Sequence, residues 1–181
     1  MENYDITSLL SDIGRISQEI VRLCSENGKM LATAESCTGG MLSAAITAVP
    51  GSSAVIELGV CSYSNRIKNK LLGVENSILE QYTEYSVQCA KAMANGVMNA
   101  AGSDYGVSTT GIAGPSGGTA EHPVGEVCIG ISTKTTSYAK RYVFKQESSG
   151  SSGRELIRAA AARQALLDLK DAIKKEISTE R

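Results

Sequence analysis

Two side chains that can act as nucleophiles stand next to each other early in the chain. Ser36 and Cys37 occur in the string "TAESCTGG", between two short apolar runs and shortly before the glycines Gly39 and Gly40. A hydroxyl or thiol at such a turn attacks an acyl carbon once a neighbouring base removes its proton. The same string is also typical of a turn that holds a phosphate at a helix start, or of a tight loop without chemistry.

A serine nucleophile needs a base, and the composition restricts which one. His122 is the single histidine and precedes a proline in a polar loop, so the sequence does not favour a Ser–His pair. Lysine is the alternative, provided that burial or a nearby cation lowers its pKa. The string "CSYSNRIKNK" offers Lys68 and Lys70, with Tyr63 just before them. An ordinary solvated helix lysine is the competing interpretation of Lys68.

A second glycine-rich string, "TTGIAGPSGG", covers residues 109–118 and contains Thr110, Gly111 and Gly114. It matches neither the Walker A loop nor the dinucleotide-binding glycine motif. Its backbone N–H groups can approach a ligand closely, although such a string is often only a tight connection. Together with the glycines of the first string, it favours a ligand that carries phosphate.

Two arginines open the last predicted helix. Arg154 and Arg158 are four residues apart and therefore share one face of that helix. A cation in the first turn is unfavourable for the helix dipole, which indicates that Arg154 faces a ligand. The alternative is a surface arginine paired with a neighbouring glutamate.

The composition limits the class of protein. The chain has 181 residues, 42% hydrophobic content and a formal net charge of −1, which suits one compact domain and favours neither a nucleic-acid nor a membrane-surface partner. Five cysteines without a C-x-x-C pair indicate reduced thiols rather than disulfides or a metal site. The acidic, interrupted start and the lack of a long apolar run predict a cytoplasmic protein without a signal peptide.

Predicted helices and strands alternate along the chain, which favours an α/β fold with a mostly parallel sheet and helices on both faces. Ser86 and Gly102 are predicted to cap one of the helices, and "SYAKRYVFK" is predicted to be a strand at or near a sheet edge. Candidate residues that follow predicted strands are expected at the carboxyl edge of the sheet, where ligands bind in this class. The predicted helices cover residues 6–28, 41–49, 65–73, 87–102 and 154–177, the predicted strands cover 29–34, 53–64, 104–111, 125–133 and 137–145, and a flexible link covers 148–153.

Taken together, four strings resemble the CinA C-terminal domain family. They are "TAESCTGG", "VCSYSNRIK", "STTGIAGPSGGTAEHPVGEVCIGI" and "GRELIRAAAARQAL", and the resemblance runs from about Ser8 to Leu169. The family includes bacterial nicotinamide-nucleotide amidohydrolases, and this chain resembles their stand-alone form. The resemblance implies a single three-layer α/β/α domain over residues 1–181, with a mixed sheet of about five or six strands and no metal or cofactor.

The resemblance also implies a reaction and roles for particular residues. The reaction is hydrolysis of the carboxamide of nicotinamide mononucleotide to nicotinate mononucleotide and ammonia. Ser36 matches the nucleophile, Lys68 the base, and Arg154 an arginine near the substrate phosphate. Tyr63 matches the family's tyrosine and is expected to be catalytic, either by passing the Ser36 proton to Lys68 or by protonating the leaving ammonia. The expected oxyanion and substrate-binding groups are the backbone N–H groups of the first string and the glycine loop, namely Cys37, Thr38, Gly39, Gly40, Thr110, Gly111 and Gly114.

One departure leaves alternatives open. Many family members have "V-S-E" where this chain has Tyr85-Ser86-Val87, so a glutamate is replaced by Val87. The alternatives are a nucleotide-binding module without catalysis and an amidase for another pyridine nucleotide or small amide. Cys37 as the attacking atom is a further alternative. A homo-oligomer, a dimer or larger, is expected because the Ala-rich final helix offers a flat apolar face.

Overall fold

The computed structural model describes residues 5–145 and 151–179. Within them, one sheet is flanked by six α-helices and a short 3-10 turn at Ser52–Ala54. The strands are β1 (Leu31–Glu35), β2 (Ile56–Cys61), β3 (Tyr105–Gly111), β4 (Glu126–Ser132) and β5 (Ser137–Val143). The helices are α1 (Ile6–Glu26), α2 (Met41–Thr47), α3 (Asn65–Leu72), α4 (Asn76–Tyr82), α5 (Val87–Ala101) and α6 (Ser151–Thr179).

The sheet is mixed, with the spatial order β2-β1-β3-β4-β5. β1 pairs in parallel with β2 and with β3, whereas β4 is antiparallel to both β3 and β5. Four of the five strands therefore run in one direction, and the carboxyl ends of β1, β2 and β3 lie side by side. The α/β class, the mixed sheet of five strands and the position of β5 at an edge are confirmed.

The three layers follow from the side chains that each strand presents to its two faces. On one face, Leu31 and Val107 join the large core that α1, α2 and α6 cover. On the other face, Ala32 and Ala34 of β1 pack with Met93 and other buried residues of α5. All five residues of β1 are buried, as expected for a parallel strand covered on both sides.

Helix ends agree well with the capping signals of the sequence. The Ser86 side chain accepts a hydrogen bond from the Cys89 N–H at the start of α5, and Gly102 ends that helix with a left-handed backbone. Asp5 and Ser64 cap α1 and α3 in the same way. α1 and α5 therefore lie within a few residues of their predicted bounds.

Several predicted bounds are wrong. α6 begins at Ser151, so residues 151–153 are helical rather than part of a link, and residues 148–150 of that predicted link lie outside the described residues. The strand predicted over residues 53–64 is shortened to β2, because the 3-10 turn occupies its start and α3 is already capped at Ser64. α4, a helix without a fully buried residue, was not predicted at all.

The Ala-rich face of α6 is covered within the chain. Ala159, Ala160, Ala161 and Ala162 are buried in the large core, where α6 packs along α1. This face is therefore not free to join two copies, and the predicted homo-oligomer would need another surface. Among the described residues, no helix is long and apolar enough to cross a membrane.

Candidate active site

The turn after β1 places Ser36 at the carboxyl edge of the sheet. The Ser36 N–H donates to the Thr109 carbonyl oxygen at 2.9 Å, so the ladder between β1 and β3 continues through Ser36. Gly39 and Gly40 then adopt positive φ angles of 61° and 99°, which glycine tolerates and which turn the chain into α2. Ser36 is largely buried but still lines a pocket.

A buried carboxylate holds this turn together. Glu35 is fully buried, and its carboxylate accepts hydrogen bonds from the Thr38 hydroxyl at 2.7 Å, the Gly40 N–H at 2.9 Å and the Leu42 N–H at 3.1 Å. It also accepts from the N–H and hydroxyl of Ser43 at 2.9 and 3.0 Å. The carboxylate therefore provides acceptors for N–H groups at the start of α2 that have no partner within the helix, and its negative charge interacts favourably with the helix dipole. Sequence reasoning gave Glu35 no role, although it lies inside the first string.

Lys68 lies beside Ser36 rather than on the solvated face of a helix. Its Nζ atom is 3.2 Å from Ser36 Oγ, 3.0 Å from the Ser62 carbonyl oxygen and 3.5 Å from that of Tyr63. The side chain is 0% exposed. Burial lowers the pKa of Lys68, and it outweighs the opposing effects of Cys89, Glu84 and Cys37. The interpretation of Lys68 as an ordinary solvated lysine is therefore wrong, whereas Lys70 is exposed.

The surroundings of Lys68 can serve either form of the amine, since a protonated Lys68 donates to Ser36 Oγ and to the two carbonyl oxygens. A neutral lysine carries two N–H bonds and one lone pair. Two carbonyl oxygens, those of Ser62 and Tyr63, are in place to accept the two N–H bonds. The lone pair is then left for the hydroxyl proton of Ser36. In its neutral form, Lys68 is therefore oriented as an acceptor toward Ser36.

Cys37 is unsuited to be the nucleophile. Burial raises the pKa of its thiol to about 12, so the thiol stays protonated near neutral pH. Cys37 lines the same pocket as Ser36, but the Lys68 Nζ atom bonds Ser36 Oγ. The structure therefore favours Ser36 over its neighbour.

The glycines of the first string do not provide the expected free N–H groups. The Gly39 N–H donates to the Ser36 carbonyl oxygen at 3.2 Å, and the Gly40 N–H donates to Glu35. The prediction that these two groups hold an oxyanion is wrong, because both are already used to form the turn. The N–H groups of Cys37 and Thr38 lie close enough to the Cys37 sulfur to lower the pKa of its thiol, and they remain the candidates.

The opposite side of the pocket is built from the glycine loop and the start of α6. Arg154 donates to the Gly114 carbonyl oxygen at 2.6 Å and to the Tyr63 hydroxyl at 3.2 Å. Tyr63 is 67% exposed, in contrast to the fully buried Lys68. We call Ser36 and Lys68 the inner end of the pocket, and Tyr63, Gly114 and Arg154 its outer end. Arg154 therefore faces the pocket, as its unusual place on the helix indicates.

Other predicted residues have structural contacts instead. Thr110 is buried, and its hydroxyl donates to the Glu84 carbonyl oxygen at 2.6 Å. The Thr38 hydroxyl bonds Glu35 and also lies 2.7 Å from the Thr109 hydroxyl. These two hydroxyls therefore have structural contacts, whereas the prediction for Thr38 and Thr110 concerns their backbone N–H groups and stays a prediction. Arg158 does not line the pocket, but it donates to the Thr38 carbonyl oxygen at 2.8 Å and so steadies the turn.

The glycine loop is shaped by close backbone approaches. Gly111 lines the pocket, and a Cβ atom there would lie 2.2 Å from the Glu126 carbonyl oxygen on the adjacent strand. Gly114 has a φ of 74°, and a Cβ atom there would lie 2.5 Å from a methyl group of Val124. Both positions therefore need glycine for the loop to reach the pocket in this form.

The pocket, of about 180 Å³, also includes residues that the motifs did not indicate. Glu84 and Tyr85 reach it from the segment between α4 and α5, where the sequence shows only the departure at Tyr85-Ser86-Val87 from the family string. His122 is not among the lining residues, because its ring bonds the Glu126 carboxylate at 3.1 Å. Among the described residues, no cluster of three or more metal-ligating side chains occurs. The remaining unpredicted lining residues are Ile112, Ala113, Ser116 and Gly117.

Fold and site together define a class of protein. The family model of the CinA C-terminal domain matches residues 14–173. The chain belongs to the CinA C-terminal domain family.

Named relatives and a solved structure agree with this assignment. The chain is 39% identical to a CinA-like protein of Chlorobium limicola over 180 residues, which is 93% of this chain and 42% of that protein. It is 47% identical to a CinA-like protein of Chlorobaculum tepidum over 126 residues, which is 70% of this chain and 30% of that protein. This chain thus spans less than half of the length of these curated relatives.

The fold is also that of a solved family structure. The crystal structure of the competence/damage inducible protein CihA from Agrobacterium tumefaciens has a TM-score of 0.84 and 35% sequence identity. The match covers 90% of this chain and 96% of that one. The mixed sheet with helices on both faces is therefore the architecture of the family.

Proposed function

We propose that this protein is a Ser–Lys amidohydrolase that converts nicotinamide mononucleotide and water to nicotinate mononucleotide and ammonia. The observation that carries the proposal is the contact of 3.2 Å between Lys68 Nζ and Ser36 Oγ, made by a lysine that is fully buried. The substrate is the one that the family resemblance implies. The Ser–Lys pair at the inner end of the pocket and the arginine at its outer end support that choice.

The first step needs an uncharged Lys68. Burial lowers its pKa, and the positive charge of a bound pyridinium ring would lower it further. Neutral Lys68 takes the Ser36 hydroxyl proton as the Oγ atom attacks the carboxamide carbon. We propose direct proton transfer from Ser36 Oγ to Lys68 Nζ, because these two atoms are in contact. The Tyr63 hydroxyl bonds Arg154, and Lys68 approaches only the Tyr63 carbonyl, so we assign Tyr63 to the pocket wall.

The attack converts the carbonyl oxygen to an oxyanion. The N–H groups of Cys37 and Thr38 follow the nucleophile directly and are the donors we assign to it. The turn that holds them is fixed by Glu35 from within and by Arg158 at the Thr38 carbonyl. Such fixed donors stabilise the developing charge without a reorganisation during the reaction.

Collapse of the tetrahedral intermediate releases ammonia. Protonated Lys68 returns its proton to the leaving nitrogen, and the C–N bond breaks to leave a nicotinoyl ester on Ser36. Neutral Lys68 then takes a proton from the water molecule that attacks the ester carbon, and it gives that proton to Ser36 Oγ as the ester C–O bond breaks. The balance is one amide and one water consumed, and one carboxylic acid and one ammonia formed.

The outer end suits the phosphate of the nucleotide. Arg154 uses one nitrogen on Gly114 and another on Tyr63, and its exposed donors and charge can still face an anion. Gly111 and Gly117 also line the pocket. Val87, the departure from the family string, begins α5 and does not line the pocket, so the proposal does not depend on it.

Purified protein incubated with nicotinamide mononucleotide tests the reaction. We expect ammonia and nicotinate mononucleotide in equal amounts. Saturable binding without ammonia would replace the proposal by a nucleotide-binding module. Faster release from free nicotinamide or another pyridine nucleotide would keep the chemistry and change the substrate.

A further inference from the structure

The segment between α4 and α5 carries a carboxylate into the pocket. Glu84 lines it together with Ser36, Lys68 and Tyr85. Its Oε2 atom lies 3.5 Å from the Asn65 side-chain amide, and its carboxylate also accepts a hydrogen bond from the Tyr85 hydroxyl. Burial raises the pKa of the Tyr85 hydroxyl, and the neighbouring Glu84 carboxylate raises it further. Glu84 therefore places a negative charge on the pocket wall near the inner end.

This segment has a strained backbone. Thr83 has a φ of 69° and a ψ of 166°, a region that is essentially restricted to glycine. A β-branched residue in that region is an outlier that persists only where the surroundings impose it. The strained residue, Thr83, directly precedes Glu84, whose side chain lines the pocket.

The surroundings impose it through three consecutive carbonyl groups. The Ser86 hydroxyl donates to the Thr83 carbonyl oxygen at 2.8 Å, and the Thr110 hydroxyl donates to that of Glu84 at 2.6 Å. The Cys128 thiol donates to the Tyr85 carbonyl oxygen at 3.0 Å. Burial raises the pKa of Cys128 to about 12, so this thiol keeps the proton that it donates. The backbone that carries Glu84 is thus held in place by these contacts within the chain.

The charges of the pocket form a pattern. Among the described residues that line it, the charged side chains are Lys68, Glu84 and Arg154. When Lys68 is neutral, as the proposed mechanism requires, a negative group remains on the wall near the inner end and a positive group at the outer end. A ligand that matches this pattern has a positive ring beside the reacting amide and an anionic group at a distance from it.

We propose that Glu84 determines specificity for a cationic ring, so that the pocket selects zwitterionic nucleotides over nucleotides of the same shape with a neutral ring. This inference rests on the proposed function, since it assigns the ring of that substrate to the Glu84 side of the pocket. Glu84 contributes to binding, and it takes no part in proton transfer.

The oxidised and reduced forms of nicotinamide mononucleotide provide a matched pair of probes. Both have the same carboxamide, ribose and phosphate, but only the oxidised ring is positive. Calorimetric titration of the Ser36→Ala protein avoids turnover. We expect it to bind the oxidised form about tenfold more tightly than the reduced form. With Glu84→Gln added, the two affinities should agree to within about twofold, through loss of affinity for the oxidised form alone.

Glu80→Gln in the same Ser36→Ala protein is the control. It removes the same charge from the exposed surface of α4, outside the pocket, and should leave the preference for the oxidised form unchanged. An unchanged preference in the Glu84→Gln protein would overturn the inference. An equal loss of both affinities would also overturn it, because that result indicates a structural role. If unmodified protein releases no ammonia, the proposed reaction fails, whereas charge selectivity still stands or falls on the two affinities.

Discussion

The two ends of the pocket are built in different ways. At the inner end, Ser36 and Lys68 are both buried. Ser36 directly follows β1, and Lys68 lies in the first turn of α3. At the outer end, Tyr63 is mostly exposed, and Arg154 reaches a glycine loop from the start of a long helix. Burial changes the proton affinity of a side chain, whereas exposed donors bind an anion without such a change. We therefore expect substitutions at the inner end to affect the chemical step, and those at the outer end to affect binding.

The largest expected effect is that of Lys68→Arg. Arginine keeps its positive charge at any relevant pH and so cannot accept the Ser36 proton. The rate of ammonia release from nicotinamide mononucleotide should fall by about 10³-fold or more. Lys70→Arg, on the exposed side of the same helix, should leave the rate unchanged. A Lys68→Arg protein with more than about a tenth of the original rate would show that a neutral amine is not required.

Glu35→Gln should weaken the frame of the inner end. The amide presents an NH₂ group and only one acceptor oxygen to donors that now share two carboxylate oxygens. We expect a loss of about 3 kcal/mol in the free energy of unfolding, measured by urea denaturation. Glu57→Gln, an exposed position on β2, is the matched control. A loss equal to that of this control would contradict the role of the carboxylate in holding the turn.

Arg154→Gln should separate binding from chemistry. Loss of the cation at the outer end should raise KM for nicotinamide mononucleotide about tenfold and leave kcat nearly unchanged. Nicotinamide riboside lacks the phosphate, so its kinetic constants should respond little to the same substitution. Arg66→Gln, an exposed arginine of α3, serves as the control. Equal effects on both substrates would place the phosphate elsewhere.

The smallest expected effect concerns stability. Since the pKa of Lys68 is lowered in the folded protein, the unfolded chain binds this proton more tightly. Lys68→Met should therefore be more stable than the original protein near neutral pH, by about 1 kcal/mol. The difference should shrink as the pH rises toward the ordinary lysine pKa, because Lys68 is then neutral in both states. Thermal unfolding at several pH values measures it, and a difference that grows with pH would contradict the lowered pKa.

The contrast between the two ends also explains what the sequence could predict. β1, α5 and the two glycine-rich strings were predictable because their apolar periodicity, capping residues and glycines act locally. Lys68 could not be separated from a solvated lysine by its spacing, since its burial depends on α5 packing over α3. Glu84 gave no signal, because its place in the pocket depends on hydrogen bonds from Thr110 and Cys128, distant in sequence. The hydrogen bond from the Gly40 N–H to the Glu35 carboxylate likewise depends on the folded shape of the turn, which residue spacing does not show.

The most direct test of the proposed mechanism is a double-mutant cycle on the inner end. Ammonia release from nicotinamide mononucleotide is measured for Ser36→Ala, Lys68→Ala and the protein with both substitutions, beside Lys70→Ala as the control. If Ser36 and Lys68 act as one unit, each single variant and the double variant should be inactive to the same degree. Effects that multiply, or substantial activity in either single variant, would contradict a nucleophile activated by its lysine neighbour.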